Sequence, residues 1–322
     1  MDSLPDYAQP QRPAETGLPL AWGVWGEEDQ LGTLNNITEG IVQAAAGLIR
    51  RGARFNLDLP LLVPYAVVNP DAQQWRGAPV QTIDARETAG LPVRDDRLDS
   101  FYLEGSSQWD GLTHIGDPRH GFYNAVQLQQ ITGGEGTRNG IENMAEFCIA
   151  GRAVLAELSR HFANTGRAWH PNTQQVVSAD ELGACLAAQG VTLQPGDTLL
   201  VRLGWLELFL GAPDPDTRDA LLRPRTFSGL SGDEDMWAFI WDNRLAAVAG
   251  DTPTVEVWPL QPGRPSLHLA IPRLGLTLGE LFNLEALAED CARDDTYLAL
   301  FASSPLNLRG GVGSPPNAMA IE

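Results

Sequence analysis

The 322-residue chain contains no lysine, so all 22 of its basic side chains are arginine. That absence excludes mechanisms needing an amine side chain, from a Schiff base to the lysine of a phosphate-binding loop. Positive charge is scarce overall: 41 acidic residues outnumber the arginines and give a formal net charge of -19. Nucleic-acid binding, which wants a dense basic face, is disfavoured on the same ground. Long apolar runs are missing as well. Nothing approaches the roughly 18 residues that span a bilayer, and Met1-Asp2-Ser3-Leu4-Pro5-Asp6 lacks the basic-then-apolar layout of a signal peptide. A soluble, cytoplasmic protein with no membrane partner is expected. Cysteine is limited to Cys148, Cys185 and Cys291, with no C-x-x-C spacing. Buried reduced thiols are therefore expected, not disulfides or a zinc knuckle.

What is present is globular: 43% hydrophobic and 20% charged residues argue against whole-chain disorder. Residues 1–17 carry Pro5, Pro10 and Pro13 without apolar periodicity, and read as an arm that is flexible or packs on a neighbouring subunit. Residues 18–322 read as one domain. Thr38 caps a helix reaching about Arg51, Arg54 to Leu59 alternates like a strand, and Pro64 to Ser100 reads as long loops around short strands. Ile141, Met144, Phe147, Cys148, Val154, Leu155 and Leu158 recur at helical spacing and predict a helix from Gly140 to about His161. Ser178-Ala179-Asp180-Glu181 is a capping box opening the next helix, and Thr198 to Leu203 is a strand buried on both faces. A helix from Asp233 to Asn243, strands at Leu245 to Gly250, His268 to Ile271 and Tyr297 to Phe301, and a helix from Leu284 to Arg293 capped by Asn283 complete an α/β alternation.

Several chemistries lack their motif. Gly229-Leu230-Ser231-Gly232 has the wrong spacing for a nucleophile elbow, H-E-x-x-H is absent, and Gly134 to Asn139 fails the dinucleotide fingerprint. The five histidines remain, and two share the segment Gln108-Trp109-Asp110-Gly111-Leu112-Thr113-His114-Ile115-Gly116-Asp117-Pro118-Arg119-His120. Two carboxylates and two imidazoles thus sit close together among glycine and proline. Such a mixed nitrogen and oxygen set suits Zn or Mn better than Ca or Mg.

This segment resembles the hallmark H-x-G-T-H-x-D-x-P-x-H of the cyclase-type metal-dependent hydrolases, the group containing bacterial kynurenine formamidase and isatin hydrolase. Thr113, His114, Pro118 and His120 fall in register with it. Leu112 stands where the hallmark has Gly, Asp110 where it has the first His, and Gly116 where it has Asp, with Asp117 one place late. A longer branch carrying Gln-x-Asp-x-x-x-His followed by Tyr-Asn is more similar, as in Gln108, Asp110, His114 and Tyr123-Asn124. The resemblance extends to Trp25 through Asn35, Pro195 through Trp205, Asp251-Thr252-Pro253 and the closing Leu306 through Pro315.

The resemblance implies a barrel-like mixed sheet wrapped by helices, of the swivelling β/β/α kind, and assembly as a homodimer or homotetramer. It further implies that His268, and Glu280 twelve residues on, complete the site. One or two Zn or Mn ions would be held by Asp110, His114, His268 and Glu280, with Asp117 as a further candidate. Hydrolysis of an amide, N-formyl or lactam bond of a small molecule by metal-activated water is then expected, with His120 carrying protons. A non-catalytic ligand-binding or scaffold member, and a metal-dependent lactonase or lyase, are the competing readings. His161 and His170 are expected to be structural. Trp25, Trp75, Trp109, Trp205, Phe122 and Tyr123 are candidates for an aromatic pocket, and Arg119 or Arg202 for a carboxylate clamp.

Overall fold

A computed structural model describes residues 4–61, 63 and 76–322. Its centre is the strand Thr198–Arg202, in which every residue is buried. Ile149–Glu157 pairs parallel to it on one side and Ala247–Gly250 on the other. The complete mixed sheet runs in the order Arg54–Asn56, Ala318–Ile321, Leu298–Ser303, Ile149–Glu157, Thr198–Arg202, Ala247–Gly250, Thr277–Glu280, Gln108–Asp110, Gly313–Ser314.

Successive side chains of these strands enter different cores, as the two-residue period of a pleated strand requires. Val154, Ala156, Leu199 and Val201 pack with Leu182, Cys185 and Leu186 of helix Ala179–Ala188 and with Met236, Trp237 and Ile240 of helix Glu234–Asp242. Ala153, Leu155 and Leu200 point the other way, toward Leu287, Ala288 and Cys291 of helix Glu285–Asp294. The result is the expected α/β class: a curled mixed sheet, a half-barrel, wrapped by helices.

Elements set by local chemistry lie where the sequence puts them. Ser178 and Glu181 form the capping box, Asp233 caps Glu234–Asp242, and Thr38 caps Glu39–Ala46, which ends short of Arg51. Elements set by distant partners differ. The expected helix from Gly140 to His161 is a short helix Glu142–Phe147, a left-handed Cys148, strand Ile149–Glu157 and a second helix Leu158–Thr165. A continuous apolar run does not distinguish a buried strand from a helix, and pairing with Leu298–Ser303 and Thr198–Arg202 decides for the strand. Between Val80 and Asp99 the expected loops with short strands are one long hairpin, Val80–Thr88 against Leu91–Asp99, turned by Ala89 and Gly90 at positive φ. His268 to Ile271 is not a strand but a 3-10 turn, Leu267–Leu269, running into helix Ala270–Leu274. Cys148 is exposed, whereas Cys185 and Cys291 are buried as expected.

The N-terminal arm lies against its own chain. Tyr7 is buried, its N–H donates to Asp242, and Trp241 Nε1 donates to the carbonyl of Pro5. Met1 to Ser3, Pro64 and Trp75 lie outside the described residues. Among the described residues no helix is long and apolar enough to cross a membrane.

Candidate metal centre

The site is built on an antiparallel register. Strand Gln108–Asp110 pairs with Thr277–Glu280 so that Gln108 lies opposite Glu280 and Asp110 opposite Leu278. The pleat sends Gln108, Asp110 and Glu280 to one face and Trp109 to the other. Trp109 is fully buried there, edge-on to Phe282 and Phe301 at 4.8 and 6.3 Å, with Nε1 donating to Ser303 Oγ at 2.8 Å. Gly279 faces Trp109 across the strands, and a Cβ on it would lie 2.6 Å from the Phe282 ring and 2.7 Å from Trp109. The glycine therefore lets the indole seat, and the seated indole fixes the strand that carries Asp110.

His268 comes from the 3-10 turn, which Ser266 caps by accepting the His268 N–H. Its Nε2 stands 3.1 Å from Glu280 Oε1 and 3.6 Å from Asp110 Oδ2. Its Nδ1 meets the buried Glu256 carboxylate, which also accepts from Ser266 Oγ at 2.6 Å and from the Leu267 N–H at 2.7 Å. Ligand atoms of Asp110, His268 and Glu280 all lie within 4.8 Å of one another. His114 stands outside that trio but close, with Nε2 3.6 Å from Asp110 Oδ1.

Charge in this group is unbalanced. Burial first, and then the Asp110 carboxylate, push the Glu280 carboxyl above its ordinary value, against the opposing pull of His268. Burial alone would lower His268, yet hydrogen bonds and charge from Glu256 and Glu280 hold it well above the ordinary imidazole value. Asp110 is fully buried, and its Oδ2 has no hydrogen-bond partner. A buried carboxylate oxygen left unpaired among converging imidazole and carboxylate ligands is what a divalent cation would satisfy. Two carboxylates and one imidazole, with the His114 imidazole alongside, form a donor set that suits a divalent cation.

The other two motif residues form a separate group. Asp117 pairs with the fully buried Arg273, and its Oδ1 accepts from His120 Nδ1 at 3.0 Å and from the Arg119 and His120 N–H groups. Burial raises the Asp117 carboxyl, but these donors outweigh it and hold the group below its ordinary value. His120 Nε2 reaches Glu15 of the N-terminal arm at 3.2 Å. The ring contacts of His120 are thus with Asp117, Glu15, Arg273 and Trp22, and the structure does not bring His120 or Asp117 into the Asp110, His268 and Glu280 trio.

A family model described as a cyclase matches residues 60–257, more than half of the chain. A crystal structure described as a novel cyclase is 32% identical, with a TM-score of 0.82 over 94% of this chain and 99% of that one. The chain belongs to the cyclase family. Isatin hydrolase A from Ralstonia solanacearum, 17% identical, shares the fold at a TM-score of 0.55 over 89% of this chain and 98% of its own. Isatin hydrolase A from Labrenzia aggregata, solved with benzyl benzoate, does so at 15% identity and 0.55 over 86% and 94%. No curated protein sequence matches.

The matched segment contains Asp110, His114, Asp117, His120 and Glu256, while His268 and Glu280 lie beyond it. At Gly116 a Cβ would lie 2.9 Å from Phe122 Cζ, so the Phe122 ring fills the space into which any side chain there would project. Gln108 and Glu256 were not singled out as site residues by sequence. Gln108 is part of the Gln-x-Asp pattern, whereas Glu256 sits in a Val-Glu-Val stretch and carries no local signal.

The aromatic candidates are occupied structurally. Trp25 packs on Trp241, Trp205 stacks on Phe209, and Tyr123 donates to Asp29 at 3.0 Å. Arg202 is committed to Glu157, Glu207 and Glu285, and Arg119 donates to the Glu15 carbonyl. His161 lies within helix Leu158–Thr165, its ring against Phe162, and His170 accepts from the Asn172 N–H.

Proposed function

We propose that this member of the cyclase family is a metal-dependent hydrolase that cleaves a C–N bond, amide, N-formyl or lactam, of a small molecule. Asp110, His114, His268 and Glu280 would hold a Zn or Mn ion, which when bound acidifies water toward a pKa of about 7 and polarises a carbonyl. The observation that carries this reading is the buried, partnerless Oδ2 of Asp110 facing His268 and Glu280. Structural likeness to a thioisatinate-bound isatin hydrolase, at 14% identity and a TM-score of 0.53, supports the fold as a setting for such a site.

The chain's own groups have separable tasks. Glu256 accepts from Nδ1 of His268 and so leaves Nε2 as the atom directed at the carboxylates. Asp117 accepts from Nδ1 of His120 in the same way, leaving Nε2 as the proton-carrying atom. For that nitrogen to take a proton from water and pass it to the leaving amine, Glu15 must release it, and Glu15 is the half-exposed partner of the pair.

The test is metal analysis of chelator-stripped protein reconstituted with Zn or Mn, followed by assay on N-formylkynurenine, isatin, cyclic imides and lactones. Uptake of an ion with turnover of a C–N substrate is expected. A chain that stays metal-free after reconstitution would sink the reading.

A further inference from the structure

Gln108 is buried on the strand that carries Asp110, and its single amide nitrogen serves both acidic residues of the centre. Nε2 donates to Asp110 Oδ1 at 3.0 Å and to Glu280 Oε2 at 2.9 Å. The orientation of the amide is fixed by its surroundings, because an ionised carboxylate is acceptor-only and two of them require the NH2 end. Its two hydrogens are therefore both spent, one on each acid.

This sorts the four carboxylate oxygens into two pairs. Asp110 Oδ1 and Glu280 Oε2 are tied to Gln108, whereas Asp110 Oδ2 and Glu280 Oε1 face His268 Nε2. Only the second pair faces His268, while Asp110 Oδ1 of the first pair stands 3.6 Å from His114 Nε2 as well as against the amide. A second ion sharing these acids would need the first pair, where the amide nitrogen already sits, and would need another anionic ligand. The other carboxylate of the motif, Asp117, is neutralised by Arg273, the Glu256 carboxylate is taken up by Nδ1 of His268, and the space beside Gly116 is filled by Phe122.

We propose that Gln108 limits the centre to one divalent ion, its amide hydrogens standing between Asp110 and Glu280 in place of a second cation. Gln108 is a positioning residue in this scheme. It neutralises part of the repulsion between the two acids and turns one oxygen of each toward His268. The proposal rests on the metal-centre reading above, and its test separates the two.

Chelator-stripped protein is titrated with Mn alone, counting bound ions per chain by calorimetry and equilibrium dialysis and recording the electron paramagnetic resonance of the bound ion. Wild type is expected to take one ion and to show the spectrum of an isolated Mn centre. Gln108→Glu replaces two donors with a third carboxylate and is expected to take two ions, with spin-coupled broadening. Gln108→Ala, which frees the same oxygens without adding charge, is expected to admit a second ion at raised Mn, and carries the test if the Glu variant does not fold. Two ions in wild type would overturn the limit while leaving the metal reading intact. One ion in both variants would overturn the role of Gln108. No ion in wild type would instead remove the metal centre itself, and the limit with it.

Discussion

Glu256 grips Nδ1 of His268 from behind, so the nitrogen that faces Asp110 and Glu280 is decided by a residue that touches neither. The carboxylate has no other evident task beyond capping the turn at Ser266 and Leu267. Glu256→Ala should weaken Mn binding by roughly 10–100-fold. Glu256→Gln, which can still accept one bond from Nδ1, should lose less. Calorimetric affinities of the two variants check this, and equal affinities for wild type and the Ala variant would refute the positioning role.

Burial first, and then the charge of Asp110, push the Glu280 carboxyl up, so without a cation the two acids oppose each other. Asp110→Asn should therefore stabilise the metal-free chain by roughly 0.5–2 kcal/mol, a trade of stability against function, while abolishing ion uptake. Urea titration of stripped protein and metal analysis after reconstitution read the two effects separately. A destabilised Asn variant would contradict the repulsion argument.

His120→Ala should abolish hydrolysis and leave ion uptake unchanged, because the ring contacts Asp117, Glu15, Arg273 and Trp22 and not the metal trio. Metal content and turnover measured on the same preparation decide the point. Loss of the ion as well would make His120 a ligand.

Arg273 is fully buried, pairs with Asp117 and donates to the carbonyls of Pro19 and Leu18 and to Thr16 Oγ1. Arg273→Met leaves the buried Asp117 without its counter-charge and should cost about 3–5 kcal/mol. Adding Asp117→Asn should recover part of that loss. A double-mutant cycle in urea measures it, and strict additivity would show that the two side chains act independently.

Asp251 is fully buried, with its two oxygens accepting the N–H groups of Leu203 and Gly204 at 2.7 and 2.8 Å. Burial pushes its carboxyl up to about 7. An unfolded aspartate ionises near pH ~3.9, so between that value and about 7 the folded chain keeps a proton that the unfolded chain has lost. The contribution of this group to stability is thus full below the unfolded pKa and falls as pH rises toward the folded one. Melting temperatures between pH 5 and 8 should decline less steeply in Asp251→Asn than in wild type. Parallel curves would count against the shift.

Legibility in the sequence followed the range of the interaction. Ser178 with Glu181, and Asp233 before Met236, act within one helical turn, so their helices could be placed from letters alone. Ile149 to Glu157 could not, because its apolar residues fit a helix face as well as a doubly buried strand, and the choice lies with Leu298–Ser303 and Thr198–Arg202. His268 was legible as a residue of interest but not in its backbone, which is a 3-10 turn set by Ser266 and Glu256.

By itself, the sequence determined the chemical inventory: acids, five histidines and arginine without lysine, with Asp110, His114, Asp117 and His120 gathered in one short segment, whereas His268 and Glu280 were marked by family resemblance. Composition and short-range spacing need no partner to be read. Tertiary structure alone decided that Glu280 lies across from Gln108, that one amide serves two acids, that Glu256 orients His268, and that Asp117 belongs to Arg273 and His120 instead of the trio. Each of the cross-chain relations in that set joins residues far apart in the chain, through strand register and burial, and those are fixed only when the whole sheet closes.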